Sequence, residues 1–503
     1  MSGLKATATY NIRFLEYLSE YSSQWLPAPY TNDKPFYWSY PCLVTGDLQL
    51  SSDTKSKSFD TLGRAARDYE NPELLFLSGC PSPGWLNFIG DKYKVDMHFF
   101  QQHLSSIRPS VHVDVYAEPS LPSSSGHVLK LTIPTIGYLG DLGDSLGDMS
   151  RTRSLLVEGL RKQVLNNALN HPVGQAIIRN VYLHNREHFT LLQEVSICLL
   201  REKSAWTVLI WTDAGGEDKD PDLSFLFKEA SRRPHIDPKL CPTVFNRPKK
   251  IGKPASSSVV SSDMQFNATQ VFNSLHKAYG TTLNPQVMRL DPFYAVTEVY
   301  SFAAAAENQF LNMMRKILDT RIESIVREGL QSRTSTPDAL PERTNIQYDR
   351  TILDAHAGRI SSMVAFLKTA DDPVWFPGAA FDDHIYADIT KARMSLLHDF
   401  QHLHAQAVQL IQRCERAMDM VAHNASLLEA KRSNLQSEGL EKLTRLTTIV
   451  TLLYVPLSFV CTFFGMNFST FGQGKLSLWI WAAADVEQRF REDAVLKATI
   501  RTN

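Results

Sequence analysis

Residues 446–467 read LTTIVTLLYVPLSFVCTFFGMN, and this stretch decides the architecture of the chain. No charged residue lies between Arg445 and Lys475. The run 446–464 consists mainly of Leu, Val, Ile and Phe, and about 20 such residues cross the hydrocarbon core of a bilayer. Four basic residues precede it, namely Lys431, Arg432, Lys442 and Arg445. The stretch therefore predicts a transmembrane helix over 446–464.

A buried helix of a large soluble protein is the alternative interpretation of this stretch. The aromatic pair Phe463 and Phe464 at one end and the basic residues at the other favour the membrane. Basic residues also concentrate in cytoplasmic segments, and the N-terminal residues show no apolar run typical of a secretory signal. We therefore expect an integral membrane protein in which residues 1–445 lie in the cytoplasm.

The composition excludes several classes of partner and activity. The 503 residues include 52 basic and 53 acidic side chains, so no overall positive charge attracts nucleic acid. The six cysteines show no close pairing, which indicates reduced thiols rather than a disulfide framework or a zinc ribbon. No GxSxG, phosphate-binding glycine loop or dinucleotide fingerprint occurs, so we expect neither an enzyme nor a resident cofactor.

The N-terminal part shows the mixed pattern of an α/β domain, which we place at residues 1–215. Residues 71–104 predict a short strand, a turn and two short helices, and 151–167 predict a longer helix. Strand-like runs lie at Val111–Tyr116, Val128–Ile133, Val195–Leu200 and Trp206–Trp211. Residues 216–290 are rich in Pro, Ser, Gly and charge, which indicates an acidic loop and a flexible linker.

Residues 291–445 predict a helical region with a long stalk helix. Helical patterning covers 292–328, breaks at a polar segment and resumes at about Tyr348. Because few prolines or glycines follow Pro377, one helix is expected over 383–464. Its apolar positions, mostly three or four apart, indicate packing against other helices: Met394, Leu397, Phe400, Leu403, Leu410, Ile411, Cys414, Met418 and Val421. The fold class is therefore α+β, with a stalk helix that continues into a transmembrane helix.

One face of the predicted transmembrane helix is rich in hydroxyl groups. At spacings of three and four lie Thr444, Thr447, Thr451, Val455, Ser458, Thr462 and Gly465. We call these residues the hydroxyl stripe. The opposite face is apolar and suits membrane lipid or neighbouring helices. Hydroxyls can line a water-filled path without the cost of a buried charge. Alternatively, they bond to carbonyls of their own helix or mediate close helix contacts.

The motif Gly465-Met466-Asn467 follows this helix. A long stalk, a span with Pro456 at its middle and a closing GMN together resemble the CorA family of divalent-cation channels. The segment PSPGWLNFIGDKYKVDMHFFQQHL, residues 81–104, also resembles the soluble domain of fungal CorA-like proteins. The resemblance implies a homopentamer whose first membrane helices surround a pore for Mg²⁺ or another divalent cation.

Carried over residue by residue, the resemblance implies roles for two groups of side chains. Asn467 would contact the hydrated cation at the outer mouth, and Gly465 and Met466 would shape the loop 465–475. The pore would be lined by Thr447, Thr451, Val455, Ser458 and Thr462. Mg²⁺ releases its water reluctantly, so amide and hydroxyl oxygens that contact the water shell suit it. Cytosolic regulatory metal sites are not assigned.

The sequence departs from the family at the second membrane helix. After GMN, the apolar run LSLWIWAAA covers only 476–484 before the chain becomes polar. Nine residues of helix span roughly 14 Å of a hydrocarbon core of about 30 Å. We therefore assign 476–503 to a truncated second span and a polar tail. Two functions stay open: a divalent-cation channel, and a membrane-anchored, non-conducting regulatory subunit on the same scaffold.

Three further groups of residues could bind metal but have simpler explanations. His398, His402 and His404 include a pair at i and i+4, without an evident third ligand, so a polar stalk face is expected. Asp141, Asp144 and Asp148 lack the spacing of an EF-hand and indicate a turn-rich loop. We expect the remaining acids to form a solvated loop rather than a cation site: Asp213, Glu217, Asp218, Asp220 and Asp222.

Overall fold

A computed structural model describes the chain over two compact units, Met1–Ala422 and His423–Asn503. The described residues are 37–41, 72–79, 81, 83–104, 126–140, 148–170, 176–202, 205–215, 223–227, 238–244, 275, 279–280, 283–331, 339–369, 374–376, 382–467 and 486–487.

A mixed seven-stranded sheet forms the centre of the first unit. Its strands are β1 (Tyr37–Pro41), β2 (Glu73–Ser78), β3 (Val128–Tyr138), β4 (Asn180–Leu183), β5 (His188–Glu202), β6 (Ala205–Thr212) and β7 (Lys239–Leu240). The order is β1-β2-β6-β5-β3-β7, with β4 paired to β5. Only β2 and β6 are parallel among the described pairs, and the other pairs are antiparallel.

The central strands are apolar on both faces because both faces are covered. In β2, Leu74 and Phe76 contribute to one apolar cluster, whereas Leu75 and Leu77 contribute to another. Neighbouring β6 divides in the same way, with Ile210 on the first side and Trp211 on the second. Successive side chains of a strand point to opposite faces, so the unbroken run ELLFLS feeds two cores at once.

Eight helices are found among the described residues: α1 (Pro83–Tyr93), α2 (Met97–Leu104), α3 (Met149–Asn170), α4 (Ser224–Phe227), α5 (Pro285–Leu290), α6 (Pro292–Gln331), α7 (Ala339–Lys368) and α8 (Asp383–Asn467). Helices α1 and α2 cover one face of the sheet through Leu86, Ile89, Phe99 and Phe100. Helices α5, α6 and α7, together with the α8 residues of the first unit, share the apolar cluster of the other face. This unit therefore has helices on both sides of its sheet.

Helix α6 begins at Pro292, and Asp291 directly precedes it. Asp291 Oδ1 accepts a hydrogen bond of 2.5 Å from the Tyr294 backbone nitrogen. Proline suits the first helical position because the missing N–H has no intrahelical acceptor there. Asp291 is buried, which raises its pKa to about 6, although the backbone amides of the helix start oppose this rise.

The observed fold confirms the predicted fold class: an α/β domain followed by long helices. The strands over 128–133, 195–200 and 206–211 are present but extend further than the sequence pattern indicated. Val111–Tyr116 and most of 216–290 lie outside the described residues.

The predicted restart of the helical region at Tyr348 is wrong. Helix α7 begins at Ala339, and Pro341 lies within its first turn. Pro341 falls in the segment between 328 and 348 where the sequence pattern predicts a helix break. A proline in the first turn removes a backbone donor that the helix does not use, so the helix can start before it.

In the second unit, the α8 residues 423–467 carry the apolar segment. Every described side chain from Leu435 to Leu446 is exposed. Aliphatic residues of this unit are highly exposed to solvent: 66% of Leu440 and 65% of Leu453. So much exposed apolar surface on one helix indicates that lipid or protein covers it.

Candidate functional site: the apolar segment of α8

Helix α8 contains a segment that is long and apolar enough to cross a membrane. An 18-residue window within it has a mean hydropathy of 1.5, and none of that window is buried. A core helix of a soluble protein would be mostly buried, so the exposure argues against the alternative interpretation. Leu446, Ile449 and Leu457 on the apolar face are each more than half exposed.

The hydroxyl stripe divides into two kinds of hydroxyl. Thr444 donates to the Leu440 carbonyl oxygen at 2.8 Å, and Thr462 donates to the Ser458 carbonyl oxygen at 2.7 Å. Ser458 donates to the Val455 carbonyl oxygen at 2.9 Å. Bonds of this kind were the alternative explanation for the stripe, and they are present at these three residues. Each such oxygen keeps lone pairs that can accept a further hydrogen bond.

Thr447 and Thr451 differ from the other stripe residues. Neither side chain makes a hydrogen bond to another described residue. Both line a depression of about 490 Å³ on the surface of α8, which Leu440, Leu443 and Thr444 also line. Their hydroxyls are therefore available as donors and as acceptors. The depression gives this part of the stripe room for water.

Pro456 lies inside the apolar segment without ending α8. Proline has no backbone N–H, so the carbonyl of Leu452, four residues earlier, receives no hydrogen bond from it. In a membrane helix such a carbonyl requires another donor, such as water or a neighbouring hydroxyl. Because of Pro456, the Leu452 carbonyl oxygen is a further acceptor in this segment, beside the hydroxyl groups of the stripe.

The GMN motif forms the last residues of α8. The helix ends at Asn467, three residues beyond the end expected from the sequence, so the backbone of Gly465 and Met466 is helical. The side chains of 463–467 and the segments 468–475 and 476–485 lie outside the described residues. The outer mouth and the truncated second span therefore stay predictions.

The candidate metal ligands elsewhere do not gather into a metal site. Among the described residues, no group of three or more His, Cys, Asp or Glu side chains could hold a metal ion. His402 contacts Gln406, at 2.5 Å between Nε2 atoms, and both are outside the core. Asp148 directly precedes α3, and its Oδ2 accepts a 3.0 Å hydrogen bond from the Arg151 backbone nitrogen. Asp141 and Asp144 lie outside the described residues.

The expectation of a solvated loop is wrong for Asp213. Asp213 is fully buried and receives two hydrogen bonds from Arg179, at 2.6 and 2.8 Å. Although burial alone would raise its pKa, Arg179 and His103 lower the pKa of this carboxyl. The Glu194 backbone nitrogen also donates to it at 2.6 Å. Its oxygens are thus used within the fold and are not offered to a cation.

Ser196, His103 and Asp213 form a buried arrangement that the sequence did not reveal. His103 Nδ1 lies 2.8 Å from Ser196 Oγ, and Nε2 lies 3.1 Å from Asp213 Oδ1. Burial, with a smaller contribution from Arg179, lowers the pKa of His103 to about 4. All three side chains are excluded from solvent, so they tie α2 to the sheet and cannot reach a substrate. Since the partners lie far apart in sequence, no local motif could have indicated them.

The comparisons with known proteins bear on the C-terminal half of the chain. No curated protein matches the chain. A protein-family model matches residues 346–484, a region that contains most of α7, all of α8, the GMN motif and the short apolar run 476–484. That family is described as CorA-like Mg²⁺ transporter protein, and the apolar, hydroxyl-bearing helix of this chain lies within the matched region.

Proposed function

We propose that the protein is a membrane channel for divalent cations, with Mg²⁺ as the main substrate, and that it works as a homopentamer. The family match over 346–484 carries this proposal. The exposed apolar segment of α8 supports a location in the membrane. The basic residues before it support a cytoplasmic N-terminal domain. In this arrangement five copies of α8 surround the pore, with the hydroxyl stripe toward its axis.

The chemistry of the stripe suits a hydrated cation. The waters around Mg²⁺ point their hydrogens outward, so a pore wall must offer hydrogen-bond acceptors. Thr444, Ser458 and Thr462 donate their own protons to helix carbonyls, and their oxygens stay free to accept. Thr447 and Thr451 add hydroxyls that are not engaged within the described part of the chain. Acceptors of this kind guide the hydrated ion without binding it tightly.

The GMN motif completes the proposed path at the outer end of α8. Asn467 would meet the incoming ion through its hydration water, because an amide oxygen accepts hydrogen bonds from that water. Gly465 and Met466 would shape the mouth around it. No resident cofactor takes part, and the cation is the substrate.

A second candidate function is a non-conducting regulatory subunit on the same scaffold. The short apolar run 476–484 favours it, because nine residues of helix cover only about half of a bilayer core. Such a chain could anchor its cytoplasmic domain in the membrane and assemble with other copies without forming a complete pore.

Flux measurements separate the two functions. The full chain would be reconstituted in lipid vesicles containing a Mg²⁺-sensitive dye, beside a version with a complete second span grafted after Leu476. Mg²⁺-dependent influx in either version above that of empty vesicles supports the channel. Absence of influx in both, despite correct insertion, favours the regulatory subunit and contradicts the channel.

A further inference from the structure

Two fully buried histidines of the first unit contact the same aromatic ring. His356 of α7 stacks on Phe310 of α6, with ring centroids 4.1 Å apart and an angle of 18° between the planes. His184, which directly follows β4, lies with its ring centroid 5.8 Å from that of Phe310. Both histidines are 0% exposed. We call these three residues, with the carboxylates Glu307 and Asp349, the paired-histidine junction.

Each histidine lies beside one buried carboxylate. Nδ1 of His356 lies 2.8 Å from Oε2 of Glu307, whereas Nε2 has no hydrogen-bond partner among the described residues. Nε2 of His184 lies 2.8 Å from the Thr190 hydroxyl oxygen. Its Nδ1 is 3.6 Å from Oδ1 of Asp349, and neither of these atoms has a hydrogen-bond partner within the part of the chain that the structure describes.

Arginine side chains from three helices surround the junction. Arg321 of α6 bonds to Asp349 and to the His184 carbonyl oxygen. Arg153 of α3 bonds to the carbonyl oxygens of Leu183, at 2.9 Å, and His184, at 3.4 Å. Arg359 lies on α7 itself and acts on His356.

Of the other titratable neighbours, Cys414 and Tyr348 stay neutral, whereas Glu342 adds a negative charge at the edge of the junction. From α8 the Cys414 thiol lies near Asp349, and burial raises its pKa to about 12, so it stays neutral. Tyr348 of α7 lies under Arg153, and burial raises its pKa to about 12. Glu342, at the partly exposed edge, is 3.7 Å from Arg321 Nε. Two buried carboxylates, together with Glu342 at the edge, therefore face three guanidinium groups before either histidine gains a proton.

A proton on either histidine is unfavourable in this environment. Burial lowers the pKa of both below 6.5, and the nearby arginines lower it further against the opposing effect of Asp349 and Glu307. On His356 the added proton would sit on Nε2, which has no acceptor, so a charged donor would be left unsatisfied in the core. Once the junction opens, water satisfies both rings, and each binds a proton near its usual pKa of 6.5.

We propose that the paired-histidine junction is a proton-operated latch: acidification protonates His184 and His356 and thereby releases α7 from α6. Around neutral pH both rings are neutral, and the junction holds α7 against α6 and the end of β4. As the pH falls below 6.5, the open form binds protons that the closed form resists, and the equilibrium shifts toward opening. The latch belongs to the first unit, and it does not depend on transport.

Hydrogen–deuterium exchange of the detergent-solubilised full chain tests the latch. Exchange of peptides from 339–368, corrected for the intrinsic effect of pH, gives the opening equilibrium of α7. Between pH 7.5 and 5.5 we expect this equilibrium to rise by up to about tenfold for each histidine, and by up to about hundredfold for both. Peptides of α1, which lies on the opposite face of the sheet, should change less. Equal opening of α7 at the two pH values would overturn the proposal.

Substitutions identify the protons responsible. The pair His184→Gln and His356→Asn keeps amide groups near Thr190 and Glu307 but cannot titrate, so the acid response of α7 should disappear. His398→Gln, at an exposed position of α8, is the matched control and should keep the full response. An unchanged acid response in the double variant would contradict the latch.

A further variant keeps the test decisive if the double variant does not fold. Arg359→Gln removes a positive charge that acts on His356 from a partly exposed position. Without this charge the pKa of His356 in the closed junction rises toward its open-form value, so the closed form resists the proton less, and the acid-driven opening of α7 should weaken and move to lower pH than in the native chain. A midpoint that stays in place or moves to higher pH would overturn the proposed role of His356.

Discussion

Arg179 shows at the residue scale how the first unit depends on buried charge. Its guanidinium group neutralises Asp213, which is fully buried at the end of β6, and its Nη1 donates to the His103 carbonyl oxygen at 2.7 Å. A buried carboxylate without a partner is costly, whereas the complete pair contributes less to stability than its distances imply. The cost of breaking this pair therefore exceeds the benefit of forming it.

Arg179→Met should lower the free energy of unfolding by about 3–5 kcal/mol, because it leaves the Asp213 carboxylate without its main partner. Urea unfolding followed by tryptophan fluorescence measures this, since Trp211 stacks on His103 at 3.9 Å. Arg413→Met removes a partly exposed ion pair with Asp319 and should cost at most about 1 kcal/mol. Similar losses in both variants would show that Asp213 does not need its arginine.

Asn467 is the residue on which the proposed outer mouth depends. Asn467→Ala removes the amide without adding charge, so it should abolish Mg²⁺ influx into vesicles while leaving membrane insertion intact. Asn434→Ala removes an amide from an exposed position earlier in α8 and should leave influx unchanged. Asn467→Gly tests the alternative, a turn-forming or capping asparagine, for which glycine is nearly harmless. Normal influx through Asn467→Gly would contradict the contact with the hydrated cation.

At the scale of elements, α8 combines two environments in one helix. Its N-terminal half packs Phe400, Leu403 and Cys414 into the apolar cluster that α6 and α7 share. Its apolar segment exposes both the hydroxyl stripe and the aliphatic face. The helical period of the sequence therefore identified the packed positions of the stalk except Met394, which is 51% exposed because it lies on the outer face of the helix, away from the shared cluster. The absence of charge identified the exposed segment.

Local patterns predicted the elements better than they predicted the polar contacts. The unbroken apolar runs of β2 and β6 and the apolar spacing of α8 follow directly from strand and helix geometry. The environment of Asp213 does not, since its partners Arg179 and His103 come from distant parts of the chain. Asp213 stands at the start of an acidic, glycine-containing segment, and that composition suggested solvent. Only the tertiary structure shows that it is buried directly after β6.

The hydroxyl stripe leads to a prediction about α8 as an element. Thr451→Val removes a hydroxyl at nearly constant shape, so Mg²⁺ influx should fall by about two- to tenfold if that hydroxyl contacts the water shell of the ion. The matched control is Thr448→Val, because Thr448 lies off the stripe and donates to the Thr444 carbonyl oxygen at 2.8 Å. Influx rates in vesicles measure both. Equal effects at the two positions would contradict a pore-facing stripe.

At the scale of the whole molecule, the exposed leucines of the second unit raise the question of what covers them. Leu427, Leu435 and Leu443 precede the apolar segment, and each is at least 55% exposed in a single chain. Lipid cannot cover side chains that lie among charged residues such as Lys431 and Glu438. Other copies of the same helix can, and the proposed homopentamer supplies them.

Assembly should therefore depend on these leucines. Native mass measurement of the detergent-solubilised chain at micromolar concentration should show a homopentamer. Leu435→Glu places a charge among apolar contacts and should shift the population toward smaller species, because a buried, unpaired carboxylate is costly. Gln436→Glu adds the same charge at the neighbouring exposed position and should leave the pentamer intact. A native chain that is monomeric under these conditions would contradict the pentameric pore, whatever the variants do.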